Sequence, residues 1–191
     1  MAEIADFDVL VLPGWQGAGP DHWQTHWQRA FANFRRVEQA DWDRPVYAAW
    51  AARLSEEVAR CARPALLIAH SLGTSLIMRW SQEGETRKVA GAFMVAPSDR
   101  DRFDGAPDAP VQGFAPMLLK PIPFPSMVLA SRNDDRVAFD RAQLFARAWG
   151  SRLVDVGERG HIGSVANLGL WPQGLVHLGQ FVESLRPRGR D

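Results

Sequence analysis

A serine, a pair of aspartates and a histidine follow one another along this chain in an order that suits acyl transfer. The serine lies in Ala69-His70-Ser71-Leu72-Gly73. That pattern resembles Gly-x-Ser-x-Gly, a tight turn between a strand and a helix that exposes the serine as a nucleophile. Ala69 replaces the first glycine, so the turn can form only if residue 69 has no positive φ. A serine that merely caps a helix is the alternative.

Asp134-Asp135 and His161 could supply the other groups that acyl transfer needs. A hydroxyl group is a poor nucleophile near neutral pH, so Ser71 needs a base to take its proton. His161 is the candidate base, and one of the two aspartates would orient its ring and stabilise the imidazolium. This chemistry requires no metal and no organic cofactor. His70 adjoins the serine on a tight turn and is therefore expected to point away from it.

Alternating strands and helices must hold these groups. Short apolar runs predict strands at 7–12, 36–39, 89–95, 127–130, 152–156 and from 65 up to the serine turn. Apolar residues at helical spacing predict helices at 21–33, 47–60, 72–84, 139–149 and 175–185. The alternation predicts a three-layer α/β/α structure with a mostly parallel sheet of about six strands. Ser71, Asp134 and His161 fall at the carboxyl ends of these strands, where such sheets bind ligands.

Composition limits the classes of function. The 191 residues suit a single domain over 1–191, with residues 187–191 expected to form a frayed tail. Because 22 basic and 22 acidic residues balance, no nucleic-acid or anionic-membrane partner is expected. We find neither a signal peptide nor a membrane-spanning apolar run, which predicts a cytoplasmic protein. A monomer or a small homo-oligomer is expected, although the sequence does not indicate which. Cys61 is expected to be a buried structural thiol.

Three further patterns carry less weight. The glycine-rich loop at 14–19 matches neither the Rossmann nor the P-loop spacing, so phosphate binding is not expected. His22 and His26 stand four residues apart but lack a third ligand, and we interpret them as surface histidines rather than a metal site. The connection at 96–125 contains seven prolines, so it is not expected to be helical throughout. It could cover the site or pack on the surface.

Several longer segments are more specific than the serine turn alone. They are Val9-Leu-Val-Leu-Pro-Gly-Trp, Ala69-His-Ser-Leu-Gly-Thr, Val95-Ala-Pro, Ala130-Ser-Arg-Asn-Asp, Trp149-Gly-Ser, Gly160-His-Ile and Leu168-Gly-Leu-Trp-Pro-Gln-Gly. Through them nearly the whole chain resembles the small α/β-hydrolase-fold serine hydrolases of the YdeN and retinoblastoma-binding-protein-9 type. The resemblance implies a compact α/β-hydrolase fold with little or no cap.

The resemblance also implies roles for individual residues. Ser71 would be the nucleophile, His161 the base and Asp134 the acid. The family often has Asn-Asp-Pro at the acid, whereas Asp135 stands here in the place of the proline. Asp134 aligns with the family's acid, and Asp135 would then be a solvated loop residue.

An oxyanion hole and a substrate pocket would complete the site. The hole normally uses the N–H after the nucleophile and a second N–H from the loop after an early strand. The first would come from Leu72 and the second from Trp15. Aromatic and polar side chains on nearby loops could border a pocket for a small acyl group. The pocket candidates are Gln16, His70, Trp42 and Trp171, although Trp42 could equally be structural.

These features together predict a serine hydrolase of the carboxylesterase kind. It would cleave a small carboxylic ester through an acyl-serine intermediate. The same groups could instead act on an amide, a thioester or an acyl-transfer substrate, since pocket shape selects the leaving group. An alternative from another class is a binding or scaffold protein that keeps the hydrolase fold with little turnover.

Overall fold

The computed structural model describes residues 2–103 and 110–185. The expected frayed tail at 187–191 lies outside these ranges, as does the middle of the connection at 96–125. Within the described ranges, no helix has both the length and the apolar character needed to cross a membrane.

One parallel sheet forms the centre of the molecule. Its strands are Asp8–Leu12 (β1), Phe34–Arg36 (β2), Ala65–Ser71 (β3), Val89–Pro97 (β4), Ser126–Ala130 (β5) and Arg152–Asp155 (β6). They lie in the order β2-β1-β3-β4-β5-β6, and every neighbouring pair is parallel. Residues 65–70 of the central strand β3 are all buried. Such burial is typical of a parallel sheet covered on both faces.

Helices cover both faces of the sheet. They are Trp23–Ala30 (α1), Tyr47–Ala59 (α2), Leu72–Trp80 (α3), Phe139–Trp149 (α4) and Pro172–Ser184 (α5). Side chains of α2, α3 and α4 share one hydrophobic cluster. Those of α1 and α5 share another on the opposite face. The predicted three-layer α/β/α architecture is therefore confirmed.

Several elements begin or end away from their predicted positions, among them β2, α1 and α5. The second strand was expected at 36–39, but β2 is Phe34–Arg36 and pairs Phe34 with Val9. Phe34 is buried in the sheet, whereas its spacing from Phe31 resembles the stripe of a helix, so α1 was predicted too long. At the other end of the chain, α5 starts three residues earlier than predicted because Pro172 occupies its first turn, where proline is favoured.

The connection between β4 and β5 is irregular in its described parts, apart from one short 3₁₀ turn at Arg100–Phe103. Its later half contributes to the core, since Phe114, Met117, Ile122 and Phe124 are buried against the α2–α4 face. The described parts of this connection contain no α-helix, which agrees with its high proline content. Cys61 is buried as expected.

Candidate active site

Ser71 lies where β3 turns into α3, with φ of +52° and ψ of −121°. A residue other than glycine adopts such angles only at a cost of about 1–3 kcal/mol. Two glycines permit this turn by their lack of a side chain. A Cβ on Gly73 would lie 2.4 Å from the carbonyl oxygen of Leu12, and a Cβ on Gly14 would lie 2.8 Å from the Cβ of Ser71. Ala69 has no positive φ, so alanine replaces glycine there without backbone strain.

The structure brings Ser71, His161 and Asp134 together in one line of hydrogen bonds. Ser71 Oγ lies 2.7 Å from His161 Nε2. His161 Nδ1 lies 2.9 Å from each carboxylate oxygen of Asp134. Because a carboxylate only accepts, Nδ1 carries the proton and Nε2 is left to accept from the serine hydroxyl. The arrangement can therefore remove a proton from Ser71.

The two neighbouring aspartates have different surroundings. The side chain of Asp134 is fully buried, with 0% exposure. It also accepts a hydrogen bond of 2.8 Å from the backbone N–H of Arg136. The side chain of Asp135 is 72% exposed and forms an ion pair of 3.4 Å with Arg136. Asp134 is thus the carboxylate that is held against His161.

The loop that carries His161 is held at two successive carbonyl groups. His70 Nε2 donates to the carbonyl oxygen of His161 at 2.8 Å. Trp23 Nε1 donates to the carbonyl oxygen of Ile162 at 2.9 Å. Ile162 is fully buried and has a φ of +52°. His70 therefore contacts the main chain of the base rather than the serine hydroxyl, and burial lowers its pKa well below the usual value.

Sequence reasoning missed the contacts that join the acid loop to the base loop. Asn133 Oδ1 accepts from the backbone N–H of Gly160 at 2.7 Å and from Ser131 Oγ at 2.9 Å. Ser131 Oγ in turn accepts from the backbone N–H of Arg159 at 2.8 Å. Ser131 and Asn133 therefore fix the distance between the loops of Asp134 and His161. Their place beside Asp134 in the Ala130-Ser-Arg-Asn-Asp segment was the available signal.

A cavity of about 580 Å³ opens around Ser71. Its walls include Trp15, Gln16, His70 and Leu72, four of the residues that were predicted to border the site. The lining also includes Pro110 and Val111 from the β4–β5 connection, together with Arg100 and Arg136. Part of the proline-rich connection therefore does reach the site.

Two predicted pocket residues lie elsewhere. Trp171 is only 3% exposed and belongs to the core beneath α1 and α5, where its ring stacks on Trp27. Trp42 packs edge-on against Trp50 and covers Gly17. Neither tryptophan lines the cavity described above. Trp171 instead packs on Trp27, from a distant part of the chain, and Trp42 packs on Trp50, which is close to it in the sequence.

Two backbone N–H groups beside Ser71 suit an oxyanion hole. The N–H of Leu72 belongs to the first turn of α3, where no carbonyl group one turn earlier in the helix can accept it. The N–H of Trp15 directly follows Gly14, whose α-carbon packs against Ser71. No hydrogen bond within residues 2–103 and 110–185 uses the N–H of Trp15. The arrangement can place two donors near an oxygen bonded to the substrate carbonyl carbon.

Among the residues that the structure describes, one group of side chains has ligand atoms close enough to hold a metal ion. Asp134, Asp135 and His161 each offer an atom within 4.8 Å of the others. Two of the three are already joined to each other, since His161 Nδ1 donates to Asp134. A metal at this position would have to replace that hydrogen bond. The described side chains therefore favour proton transfer over metal binding.

His22 is placed differently from its prediction. It was interpreted as a surface residue, but it is only 3% exposed. Its Nδ1 accepts from the backbone N–H of Gln24 at 3.1 Å and so caps α1. Its ring packs on His70 with 4.7 Å between centroids, and burial lowers its pKa to about 4. His26, one turn further on, is partly buried.

A larger depression of about 1080 Å³ lies at the other end of the sheet. It is bordered by Phe7, Pro64 and Val89, close to the starts of the strands. Ligands of parallel α/β sheets bind at the opposite edge, beyond the carboxyl ends. Ser71 and His161 lie at that opposite edge, so the smaller cavity is the candidate site.

Comparison with known proteins agrees with this geometry. The profile of the serine hydrolase family matches residues 9–180. A YdeN-like hydrolase from Pectobacterium atrosepticum is 36% identical, with 96% of this chain and 94% of that chain covered and a TM-score of 0.84. The ydeN gene product of B. subtilis is 18% identical over 93% of this chain and 100% of that chain, with a TM-score of 0.73.

An esterase domain from Rhodothermus marinus shares the fold at 16% identity, with 94% of this chain and 90% of that chain covered and a TM-score of 0.64. None of the functionally curated proteins compared with the chain matches it. The comparisons thus extend over nearly the full length of the described structure.

Proposed function

The chain belongs to the serine hydrolase family, and we propose that it cleaves small carboxylic esters through an acyl intermediate on Ser71. Ser71 is the nucleophile, His161 the general base and Asp134 the carboxylate that orients the base. The observation that carries the proposal is the contact of 2.7 Å between Ser71 Oγ and His161 Nε2, with Asp134 on the other ring nitrogen.

The reaction proceeds in two halves. Ser71 Oγ attacks the ester carbonyl carbon while His161 Nε2 takes its proton, a transfer that contributes about 10²–10⁴-fold to the rate. The resulting oxyanion accepts hydrogen bonds from the N–H groups of Leu72 and Trp15, each worth roughly 3 kcal/mol in such sites. His161 then protonates the leaving alcohol. In the second half, water attacks the acyl carbonyl carbon while His161 Nε2 takes its proton. His161 then returns that proton to Ser71 Oγ, and the carboxylic acid is released.

Asp134 acts through His161 rather than on the substrate. Its carboxylate accepts the Nδ1 proton, which fixes the tautomer that leaves Nε2 free to act as a base. Its burial and its bond from the Arg136 N–H keep it in one orientation. The contacts of Ser131 and Asn133 with the base loop preserve the distance between acid and base.

Turnover of a short ester series tests this proposal. Purified protein is assayed with p-nitrophenyl esters of two to eight carbons, alongside S71A and H161A proteins whose circular dichroism matches the wild type. We expect hydrolysis by the wild type, with kcat lowered by roughly 10⁴-fold or more in S71A. Hydrolysis that survives in S71A would refute the assignment of Ser71.

The same variants also decide between the substrate classes. A thioester and an aminoacyl amide of similar size are assayed beside the esters. Turnover of either one above the S71A background, without ester turnover, would keep the three residues and change the substrate. No turnover of any of the three would favour a binding protein on a hydrolase fold.

A further inference from the structure

The cavity around Ser71 has a lining with charged groups of one sign. Arg100 and Arg136 belong to this lining. Among residues 2–103 and 110–185, no aspartate or glutamate does. A cleft lined by charges of one sign attracts ligands of the opposite sign. The lining therefore indicates a substrate that carries a negative charge in addition to its reacting group.

The carboxylates on either side of Arg100 in the sequence are bound on α4, outside the lining. Asp99 accepts two hydrogen bonds from the guanidinium of Arg141, at 2.7 and 3.0 Å. Asp101 accepts one from the same guanidinium at 2.8 Å and another from the backbone N–H of Met117 at 2.7 Å. This short segment thus places its arginine in the lining and directs both of its carboxylates towards Arg141.

Arg136 has a fixed backbone and an accessible side chain. Its N–H donates to Asp134 Oδ1 at 2.8 Å, and its carbonyl oxygen accepts from the N–H of Asp99 at 3.3 Å. Both polar groups of its backbone are therefore bonded within the protein. Its side chain is 49% exposed. Solvent, and hence a ligand in the open cavity, can reach the guanidinium of Arg136.

The ion pair of Arg136 leaves room for a ligand. Its Nε lies 3.4 Å from the carboxylate of Asp135, which is itself largely exposed. Such exposed pairs are weak because water solvates both groups. Within residues 2–103 and 110–185, the terminal amino groups Nη1 and Nη2 make no hydrogen bond. A second carboxylate can bind these two groups.

We propose that Arg136, with Arg100 beside it in the lining, binds a carboxylate group of the substrate while the ester group reacts at Ser71. The substrates would be half-esters of dicarboxylic acids or esters of hydroxy acids. A guanidinium suits this task because its planar N–H groups match the two oxygens of a carboxylate. This inference rests on the proposed esterase function. It adds a substrate class and a specificity-determining residue.

Three variants separate the charge of Arg136 from its packing. Arg136→Gln removes the charge, whereas Arg136→Lys keeps the charge and removes the planar fork. Arg132→Gln is the matched control on the same loop. Arg132 is also exposed and paired with an aspartate, Asp155, but it does not line the cavity. All three changes leave the hydrogen bonds of the backbone in place, and circular dichroism checks that each protein folds.

Two pairs of matched esters locate the negative charge. The mono-p-nitrophenyl ester of adipic acid and its primary amide, p-nitrophenyl adipamate, differ only in charge at the end of the acyl group. Carboxymethyl butyrate and carbamoylmethyl butyrate differ in the same way in the alcohol. For each protein, kcat/KM for the anionic ester is divided by kcat/KM for its amide match. The intrinsic reactivity of the esters cancels when variants are compared with the wild type.

We expect the ratio for one of the two pairs to fall about three- to tenfold in Arg136→Gln, as for a partly exposed charged hydrogen bond. It should stay within about twofold of the wild-type value in Arg132→Gln, and it should fall less in Arg136→Lys than in Arg136→Gln. Unchanged ratios in Arg136→Gln would overturn the proposal. Equal falls in Arg136→Gln and Arg136→Lys would also overturn it, because the loss of packing rather than of charge would then be responsible.

The wild type alone provides a second measurement, which does not depend on the folding of any variant. Raising the salt concentration from about 50 to about 500 mM screens the attraction between the substrate and the exposed guanidinium. We expect the same ratio to fall by about twofold or more, while the amide ester alone sets the baseline. A ratio that does not respond to salt for either pair would overturn the proposal.

These outcomes differ from a failure of the proposed function. If the wild type turns over neither the anionic nor the neutral esters, the esterase proposal fails, and the present inference fails with it. If esters are turned over with ratios that depend on neither Arg136 nor salt, only the present inference fails.

Discussion

At the scale of single residues, the site depends on which atoms of each side chain are already bonded. His161 has both ring nitrogens occupied, with Asp134 on Nδ1 and Ser71 on Nε2. His70 donates to the backbone of His161, and His22 caps a helix. Three histidines that stand close together therefore have three separate tasks, set by their hydrogen-bond partners.

Exchange of either aspartate for asparagine distinguishes the acid from its neighbour. D134N removes the acceptor for Nδ1–H and favours the wrong tautomer of His161, so we expect kcat to fall by about 10³–10⁴-fold. D135N changes an exposed side chain that, within residues 2–103 and 110–185, pairs with Arg136, so we expect less than about a threefold change. Steady-state kinetics with one p-nitrophenyl ester measures both. Equal losses in the two variants would contradict the assignment of Asp134.

The backbone of Ser71 stores strain that a second pair of variants can release. S71A and S71G both lack the hydroxyl, but glycine adopts a φ of +52° without the steric cost of a Cβ. We expect S71G to be more stable than S71A by about 1 kcal/mol. For a chain of this size that corresponds to roughly 2–4 °C in the thermal midpoint. Equal midpoints would mean that the turn is not strained.

At the scale of secondary-structure elements, close contacts set the position of the nucleophile. The start of α3 touches the end of β1, because Gly73 has no side chain to separate it from Leu12. The loop after β5 and the loop after β6 are joined through Ser131 and Asn133. The three reacting side chains therefore lie at the ends of three different strands, and these contacts keep them close together.

Gly73→Ala tests the first of these contacts. The new Cβ would meet the carbonyl oxygens of Leu12 and Pro13 at 2.4 and 2.9 Å, and neither backbone group can move away easily. We expect a loss of stability of at least about 3 kcal/mol in urea unfolding. Gly179→Ala, within α5 and with open space around it, is the matched control. It should gain about 0.5–1 kcal/mol, and a G73A protein as stable as G179A would exclude the close contact.

The order and type of the secondary-structure elements could be predicted from the sequence, but not all of their first and last residues. Apolar runs and helical stripes were strong signals because the inner strands β1, β3, β4 and β5 are buried on both faces. Phe34 was assigned to the wrong element because a phenylalanine after Phe31 fits a helix stripe as well as a buried strand. Ser71, Asp134 and His161 were identifiable because each follows its own strand.

Residues that depend on distant packing could not be placed in advance. Trp171 was expected at the pocket, yet its ring packs on Trp23 and Trp27, nearly 150 residues earlier in the chain. His22 was expected at the surface, yet the ring of His70 covers it. No local pattern contains either contact, because both arise only when α1, β3 and α5 come together.

At the scale of the whole molecule, the charges balance over the chain while buried imidazoles lie at the site. A histidine held neutral by burial makes the folded state sensitive to acid. That the whole chain, 1–191, forms a single domain stays a prediction. Within residues 2–103 and 110–185, all the β-strands belong to one sheet.

Acid should destabilise the fold partly through His22. Its pKa of about 4 in the folded protein lies below the ordinary value of 6.5, so the unfolded chain binds its proton first. The contribution of His22 is therefore complete above pH 6.5 and is lost as the pH falls towards 4, by roughly 3 kcal/mol. We expect His22→Asn to lose less stability than the wild type between pH 7 and pH 4, as measured by urea unfolding. Parallel losses in the two proteins would contradict this account of His22.

Labelling by a fluorophosphonate, read as intact mass, tests the central claim most directly, because only an activated serine reacts. Wild type, S71A and H161A proteins are exposed to the same probe concentration, and the added mass is followed with time. We expect one adduct on the wild type, none on S71A and labelling slowed by at least about 10²-fold on H161A. An unlabelled, folded wild-type protein, or an adduct that persists in S71A, would contradict the assignment of Ser71 as an activated nucleophile.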